Sequence, residues 1–236
     1  MSVDLIAAAH GTADPRGIRE VHELVRMMAR LRPELPISLG FVDVDVPALP
    51  SLVDRVVADS NQAVVVPLLL SSGYHVAVDV LGEAARRPGH VQAAAALGPD
   101  PVLAQVLADR LGECLGESRS SFDEVDQVVL AAAGSSDRRA LLDCSATAAM
   151  LSTLIDRPVE VGCISGAGEH LAPVLARSTG RVAVATYMLA PGFFADRVHR
   201  IAGDLPVSAP LGADPRVAGL ALARYDAARA LSAVAV

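Results

Sequence analysis

The sequence contains no lysine, so all 20 of its positively charged side chains are arginine. This absence excludes the lysine of a phosphate-binding P-loop, a Schiff-base lysine and a lysine general base. The formal net charge is -7, and a chain without a basic patch is not expected to bind nucleic acid. We therefore expect no nucleotide cofactor and no nucleic-acid partner.

Cysteine is also scarce, with only Cys114, Cys144 and Cys163 and no CxxC pair. This pattern gives no indication of a zinc knuckle or an iron–sulfur cluster and is typical of a reduced, cytoplasmic setting. The first residues carry an acid where a signal peptide has basic residues. No apolar stretch of membrane-spanning length is free of charged or turn residues. We expect a cytoplasmic protein without a membrane partner.

The sequence does contain a regular alternation of apolar runs and amphipathic patterns. The strand candidates are Val3–Ala9, Ile37–Asp43, Ala63–Leu70 and Val91–Ala95. Leu5–Ala9 and Val64–Leu70 are apolar on both faces, as the buried strands of parallel sheets are. Helical patterns such as Ile18–Leu31 lie between them. The alternation predicts parallel sheets flanked by helices.

Four segments of the first half recur in the same order in the second half, which indicates a duplication. We predict two diverged copies of one α/β unit, residues 1–118 and 119–236, each with a four-stranded parallel sheet. The polar segment Gly116–Asp126 is predicted to link them. The corresponding positions include His10 with Ala133, Asp43 with Ser165, and His75 with Phe194.

The duplication indicates which half carries the chemistry. His10, Asp43 and His75 each lose their ionisable group in the second copy, whereas glycines and apolar strands remain. The backbone therefore does not need these side chains, and we assign function to them and a structural, cleft-closing role to the second half. The alternative interpretation of Asp43 is a turn residue before Pro47, with Asp45 as a competing acid.

Two imidazoles and a carboxylate near strand ends are suited to holding a metal ion. Ligands of open α/β sheets bind beyond the carboxyl ends of the strands, and neutral imidazole is the commonest metal-binding side chain. A structural zinc site would use four closed ligands. An incomplete ligand set instead favours an ion that is passed on to another molecule.

Three motifs carry these residues: His10-Gly11-Thr12, Phe41-Val42-Asp43, and the run from Pro67 to His75. In order and spacing they resemble the class II, ATP-independent chelatases of tetrapyrrole synthesis, specifically the sirohydrochlorin chelatases, over essentially the whole chain. Asp43 stands where that family usually has glutamate, so its carboxylate is retracted by one methylene.

The resemblance implies that His10 and His75 bind the incoming metal, Co²⁺ or Fe²⁺ with Ni²⁺ as a further candidate, and help to deprotonate a pyrrole. Asp43 would orient an imidazole or relay protons. It also implies a chelatase-like fold, a tetrapyrrole substrate and, because the repeats are fused, a monomer. We expect substrate contacts from Gly11, Thr12, Ser71, Ser72, Gly73 and Tyr74.

The sequence leaves several questions open. Arg16, Arg138 and Arg197 are candidates for binding the carboxylates of the macrocycle. Alternative functions are a ferrochelatase of heme synthesis and a non-catalytic metal or tetrapyrrole binder. Imidazole suits several divalent metals, so the sequence does not choose among them.

Overall fold

The computed structural model describes residues 3–60, 62–73, 76–116 and 119–234. Contacts divide the chain into two compact units, residues 1–97 with 213–236, and residues 98–212. In these described ranges no helix is long and apolar enough to cross a membrane. In chain order the elements are β1 (Asp4–Ala9), α1 (Pro15–Leu31), β2 (Ile37–Phe41), α2 (Leu49–Ser60), β3 (Ala63–Pro67), α3 (Leu81–Arg86), β4 (Val91–Ala93), α4 (Pro101–Leu115), β5 (Gln127–Ala132), α5 (Arg138–Ile155), β6 (Val159–Cys163), α6 (Leu171–Arg177), β7 (Val182–Tyr187), α7 (Phe193–Ala202) and α8 (Pro215–Val234).

The first unit contains a four-stranded parallel sheet in the order β2-β1-β3-β4. Every residue of β1 from Leu5 to Ala9 is buried, which explains why this strand lies inside the sheet with a partner on either side. One turn of π-helix, Val76–Val80, precedes α3. The predicted parallel α/β architecture is confirmed for this unit.

Helix α1 begins directly after the loop that carries His10. Asp14 caps the helix by accepting a hydrogen bond from the Arg16 amide at 2.8 Å. Pro15 follows the cap at the first helical position, where its missing N–H costs nothing. The cap fixes the point at which the loop ends, so the loop after β1 is short.

The second unit contains a three-stranded parallel sheet in the order β6-β5-β7. The prediction of four strands in this half is therefore wrong for the part of the chain described. After α7 the chain reaches the open edge of β7, where Val207 forms an isolated parallel bridge with Val184. Pro206, directly before it, has no N–H to donate to a ladder, so the pairing does not extend into a strand.

The two compact units do not follow the linear division between residues 118 and 119. Helix α4 packs against α5 and β7, whereas α8 packs against α1 and β3. The unit boundaries instead fall after Leu97 and after Gly212, inside two similar segments, LGPDPVLAQVLADRL from Leu97 and LGADPRVAGLALARY from Leu211. Arg224 of α8 supports its placement by donating to the Ala96 and Leu97 carbonyls at 2.9 and 2.8 Å.

Part of the segment Gly116–Asp126, which the sequence predicted to be a linker, has regular structure. It contains a 3₁₀-helix, Arg119–Glu124. The Arg157 guanidinium donates to the carbonyls of Phe122 and Val125 at 3.1 and 2.8 Å. These bonds attach the segment to the second unit, in which both partners lie.

Candidate metal and substrate site

His10 and Asp43 follow neighbouring strands at the carboxyl edge of the four-stranded sheet. His10 is the first residue after β1, and the Asp43 amide donates to its carbonyl at 3.0 Å. Both residues are exposed. The ladder between β1 and β2 therefore continues past the strand ends and brings together two of the three predicted catalytic residues.

Gly11 allows the loop after β1 to touch the loop after β2. A Cβ atom at this position would overlap the Asp43 carbonyl oxygen. Gly11 also has a φ of +94°, in the left-handed region that side chains disfavour. Any other residue would separate the backbones that carry His10 and Asp43.

The Asp43 carboxylate is positioned by the backbone that follows it. Its Oδ1 accepts a hydrogen bond from the Val44 amide at 2.8 Å. Val44 has a φ of +62°, a strained conformation for a β-branched residue, and it is 65% exposed, so burial does not account for the strain. The turn directs one oxygen at the backbone and leaves Oδ2 without a hydrogen bond to any described residue.

Asp45 has a different role from that of Asp43. Its Oδ2 accepts a hydrogen bond from the Thr12 amide at 2.7 Å, and the Thr12 hydroxyl accepts one from the Asp14 amide at 3.1 Å. An anion at the Thr12 amide would have to displace a carboxylate, so the turn is braced internally. Sequence reasoning missed this brace because a contact between two loops leaves no local pattern.

The second unit repeats this geometry without the functional groups. The Ser165 amide donates to the Ala133 carbonyl at 3.0 Å, as the Asp43 amide does to the His10 carbonyl. Gly134 has a φ of +87°, and a Cβ atom there would overlap the Ser165 carbonyl oxygen. The structural equivalence supports the duplication and shows that this loop pairing forms without imidazole or carboxylate.

The third predicted motif is described only in part. The Leu68 amide donates to the Ala8 carbonyl at 2.8 Å, so β3 delivers its loop to the same edge as β1. The predicted substrate contacts in Ser71–Gly73 are half-buried there, whereas Tyr74 and His75 lie outside the described residues. Within the described ranges no group of three or more His, Cys, Asp or Glu residues could hold a metal ion.

The three candidate arginines differ in their surroundings. The Arg16 guanidinium is paired with the Asp14 carboxylate at 2.6 Å, and its hydrogen bonds hold the pKa of Asp14 below the usual value. Arg138 and Arg197 are exposed and make no hydrogen bond or ion pair with any residue in the described ranges. The last two are therefore available to an external anion.

Comparison with known proteins gives a family match and a fold match. Residues 4–114 match the CbiX family model. SirB from Bacillus subtilis, solved with Fe3+, is similar at 19% identity and a TM-score of 0.81, with 98% of this chain and 97% of that chain covered. The sirohydrochlorin chelatase SirB from Bacillus subtilis subspecies spizizenii, in complex with cobalt, is similar at 19% identity and a TM-score of 0.75. The match covers 96% of this chain and 94% of that chain.

A further structure supports the same fold. CbiX, described as the terminal enzyme for biosynthesis of siroheme in denitrifying bacteria, has 17% identity and a TM-score of 0.70 over 95% of this chain and 99% of that chain. No curated protein matches the sequence at a significant level. The predicted chelatase-like α/β fold, with two parallel sheets flanked by helices, is thus confirmed.

Proposed function

We propose that this chain, whose residues 4–114 match the CbiX family model, inserts a divalent metal ion into sirohydrochlorin without using ATP. The observation that carries the proposal is the backbone pairing of His10 with Asp43 at the carboxyl edge of the first sheet. The same pairing occurs in the second unit between Ala133 and Ser165, which carry neither an imidazole nor a carboxylate. The first unit has therefore kept groups that its fold does not require.

The chemistry of the two described side chains fits metal insertion. The ion replaces the inner pyrrole protons of the macrocycle, and those protons must leave. A neutral imidazole at His10 binds the ion or accepts a pyrrole proton. The unbonded Oδ2 of Asp43 orients that imidazole or passes the proton to water. We assign His75 as the second imidazole from its place in the sequence.

The metal in this proposal is a substrate, and an open ligand set allows its release to the macrocycle. Imidazole and carboxylate ligands bind all three candidate ions, and their affinity generally rises from Fe²⁺ through Co²⁺ to Ni²⁺. We propose Co²⁺ or Fe²⁺ as the ion, which is the choice supported by the cobalt and iron present in the similar structures. The product would then enter cobalamin or siroheme synthesis.

The proposal predicts that ATP is not needed. A P-loop enzyme holds the nucleotide phosphates with a lysine, and the sequence has none. Adding ATP and magnesium should leave the insertion rate unchanged. A strict requirement for ATP would contradict the assignment to the ATP-independent class.

The test is an anaerobic assay of the purified full chain with sirohydrochlorin and either Co²⁺ or Fe²⁺. The absorbance change of the macrocycle is followed, and the rate without protein is subtracted. His10→Ala should reduce the rate about 100-fold while leaving the melting temperature nearly unchanged, since Ala133 occupies the same backbone geometry in the second unit. His22→Ala, an exposed histidine on α1, is the matched control.

The outcomes separate the competing functions. Full activity of His10→Ala at limiting metal would overturn the site. Insertion of iron into protoporphyrin, with sirohydrochlorin left unchanged, would identify a ferrochelatase. Binding of metal and macrocycle without a metallated product would identify a carrier.

A further inference from the structure

The carboxyl edge of the second sheet exposes two adjacent aromatic rings. Phe193 and Phe194 are the first residues of α7 and are 61% and 39% exposed. Their ring centroids lie 5.6 Å apart in an edge-to-face arrangement at 82°. The chain has only four phenylalanines and no tryptophan, so half of its phenylalanines are at this one place.

This exposure is unfavourable for the protein alone. Burying a phenylalanine side chain typically contributes about 1.5–3 kcal/mol to folding stability. Because both rings are partly exposed, neither contributes the full amount. Helix α7 does bury Ala195, Val198 and Ala202, so it has an apolar face for the core. The two phenylalanines therefore add apolar surface at the sheet edge beyond what the helix buries against its own unit.

Unpaired positive charge lies at the same edge. Arg197 lies about one helical turn after Phe193 on α7, so the two residues share one face of the helix. Arg138 is the first residue of α5, which also begins at the carboxyl edge. Its neighbour Arg139 is paired with Asp137 at 2.7 Å, whereas Arg138 and Arg197 have no ion-pair partner among the described residues.

Rings and free guanidinium groups together fit one ligand chemistry. A flat, conjugated macrocycle stacks on exposed aromatic rings, and its peripheral carboxylates pair with arginines. A purely apolar partner would leave the arginines unused, and a simple anion would leave the rings unused. The net charge of -7 makes local arginines the necessary attraction for a polycarboxylate.

We propose that Phe193, Phe194, Arg138 and Arg197 form a recognition surface for the polycarboxylated tetrapyrrole. The inference rests on the proposed function and replaces the purely structural role expected of the second half. The diverged copy has lost its metal-binding groups and has gained the surface that holds the macrocycle. Metal binding and macrocycle binding are thereby divided between the two copies of the ancestral unit.

The test measures macrocycle binding by the full chain in the absence of metal. Metal-free sirohydrochlorin is titrated by fluorescence, with uroporphyrin as a carboxylate-rich probe and protoporphyrin as a carboxylate-poor one. The double variant Phe193→Ala, Phe194→Ala should raise the Kd of all three about tenfold or more. Arg138→Gln and Arg197→Gln should each raise the Kd about threefold, with a larger effect on uroporphyrin than on protoporphyrin.

Matched controls lie at the far ends of the same two helices. Arg200→Gln on α7 and Leu154→Ser on α5 also change an exposed residue, and both should leave the Kd unchanged. A Co²⁺ titration should be unaffected by all of these variants, because none lies in the first unit. Circular dichroism melting identifies any variant that fails to fold.

The proposal fails if the phenylalanine variant binds all three macrocycles as tightly as the wild type. It also fails if sedimentation shows that the wild type is a dimer and the same variant is a monomer, because the rings would then contact a second copy. Wild-type binding of sirohydrochlorin without metal insertion would refute the proposed function and leave this surface standing. Normal insertion with unchanged KM in every variant would refute the surface alone.

Discussion

The carbonyl oxygen of Asp43 occupies the space that a side chain on Gly11 would need. This contact between backbones, together with the hydrogen bond from the Asp43 amide to His10, joins the two loops that carry the candidate site. The equivalent contact joins Gly134 and Ser165 in the second unit. The molecule thus contains its own comparison between a loop pair that carries an imidazole and a carboxylate and one that carries neither.

Gly11→Ala should lower both stability and metal affinity, whereas Gly134→Ala should lower stability and spare metal affinity. Each substitution places a side chain at positive φ and against a carbonyl, with an expected cost of about 1–3 kcal/mol. Only Gly11→Ala displaces His10 from Asp43. Denaturant unfolding and Co²⁺ titration of both variants measure the two effects. Equal loss of metal affinity in both variants would contradict the assignment of the metal site to the first unit.

The strain at Val44 predicts that its replacement stabilises the protein. Asparagine accepts the left-handed conformation better than valine, and Val44 is 65% exposed, so little packing is lost. Val44→Asn should add about 0.5–1 kcal/mol of stability, which raises the Tm by roughly 1–4 °C. Val46→Asn, at an even more exposed valine without positive φ, should give no gain. A Val44→Asn variant that melts below the wild type would show that the valine side chain makes a necessary contact.

The sequence predicted the positions of His10 and Asp43 correctly, because buried parallel strands are recognisable from continuous apolar runs. It failed on the number of strands in the second sheet, where three strands are described and Val207 forms only an isolated bridge after Pro206, which has no N–H to donate. The sequence also did not predict that α4 belongs to the second unit and α8 to the first. Packing of a helix on one sheet or another depends on distant contacts, which periodicity within the helix does not encode.

The loop details were missed for a related physical reason. The hydrogen bond from Thr12 to Asp45 spans two loops that are far apart in sequence. The positive φ of Val44 contradicts the ordinary preference of valine and therefore has no sequence signal. Both features brace the candidate site, which is where local preferences are expected to be overridden.

Burial of Cys144 predicts a loss of stability at alkaline pH. Burial raises the pKa of this thiol to about 12, whereas its ordinary value is 9.0. A folded-state pKa above the unfolded value means that the contribution to stability is complete below pH ~9 and is lost as the pH rises toward the folded value. Melting curves between pH ~8 and ~11 should therefore show a falling Tm.

Cys144→Ala should flatten this alkaline decline, even though the lost sulfur lowers stability at neutral pH. Cys114→Ala is the control, because Cys114 is exposed and its removal should leave most of the decline in place. An identical slope for wild type and Cys144→Ala would mean that other groups, such as Tyr187 with its burial-raised pKa, dominate the alkaline loss.

Asp43→Asn should reduce metal insertion by about 10-fold, a smaller loss than the one expected for His10→Ala. An asparagine oxygen can still accept the hydrogen bond from the Val44 amide, so the turn remains and only the charge is removed. The variant therefore tests the proton-relay role separately from loop structure. Steady-state rates at limiting and saturating metal measure it, and Asp59→Asn on α2, an exposed carboxylate, is the control.

Asp43→Glu examines the reach of the same carboxylate. The longer side chain extends the carboxylate by one methylene, to the length of the glutamate expected from the resemblance to sirohydrochlorin chelatases. It gives up the hydrogen bond from the Val44 amide. We expect the insertion rate to be kept or raised, with a small loss of stability from the freed turn. A silent Asp43→Asn together with a damaging Asp43→Glu would show that Asp43 serves the turn and not the reaction, because then geometry would matter at this position and charge would not.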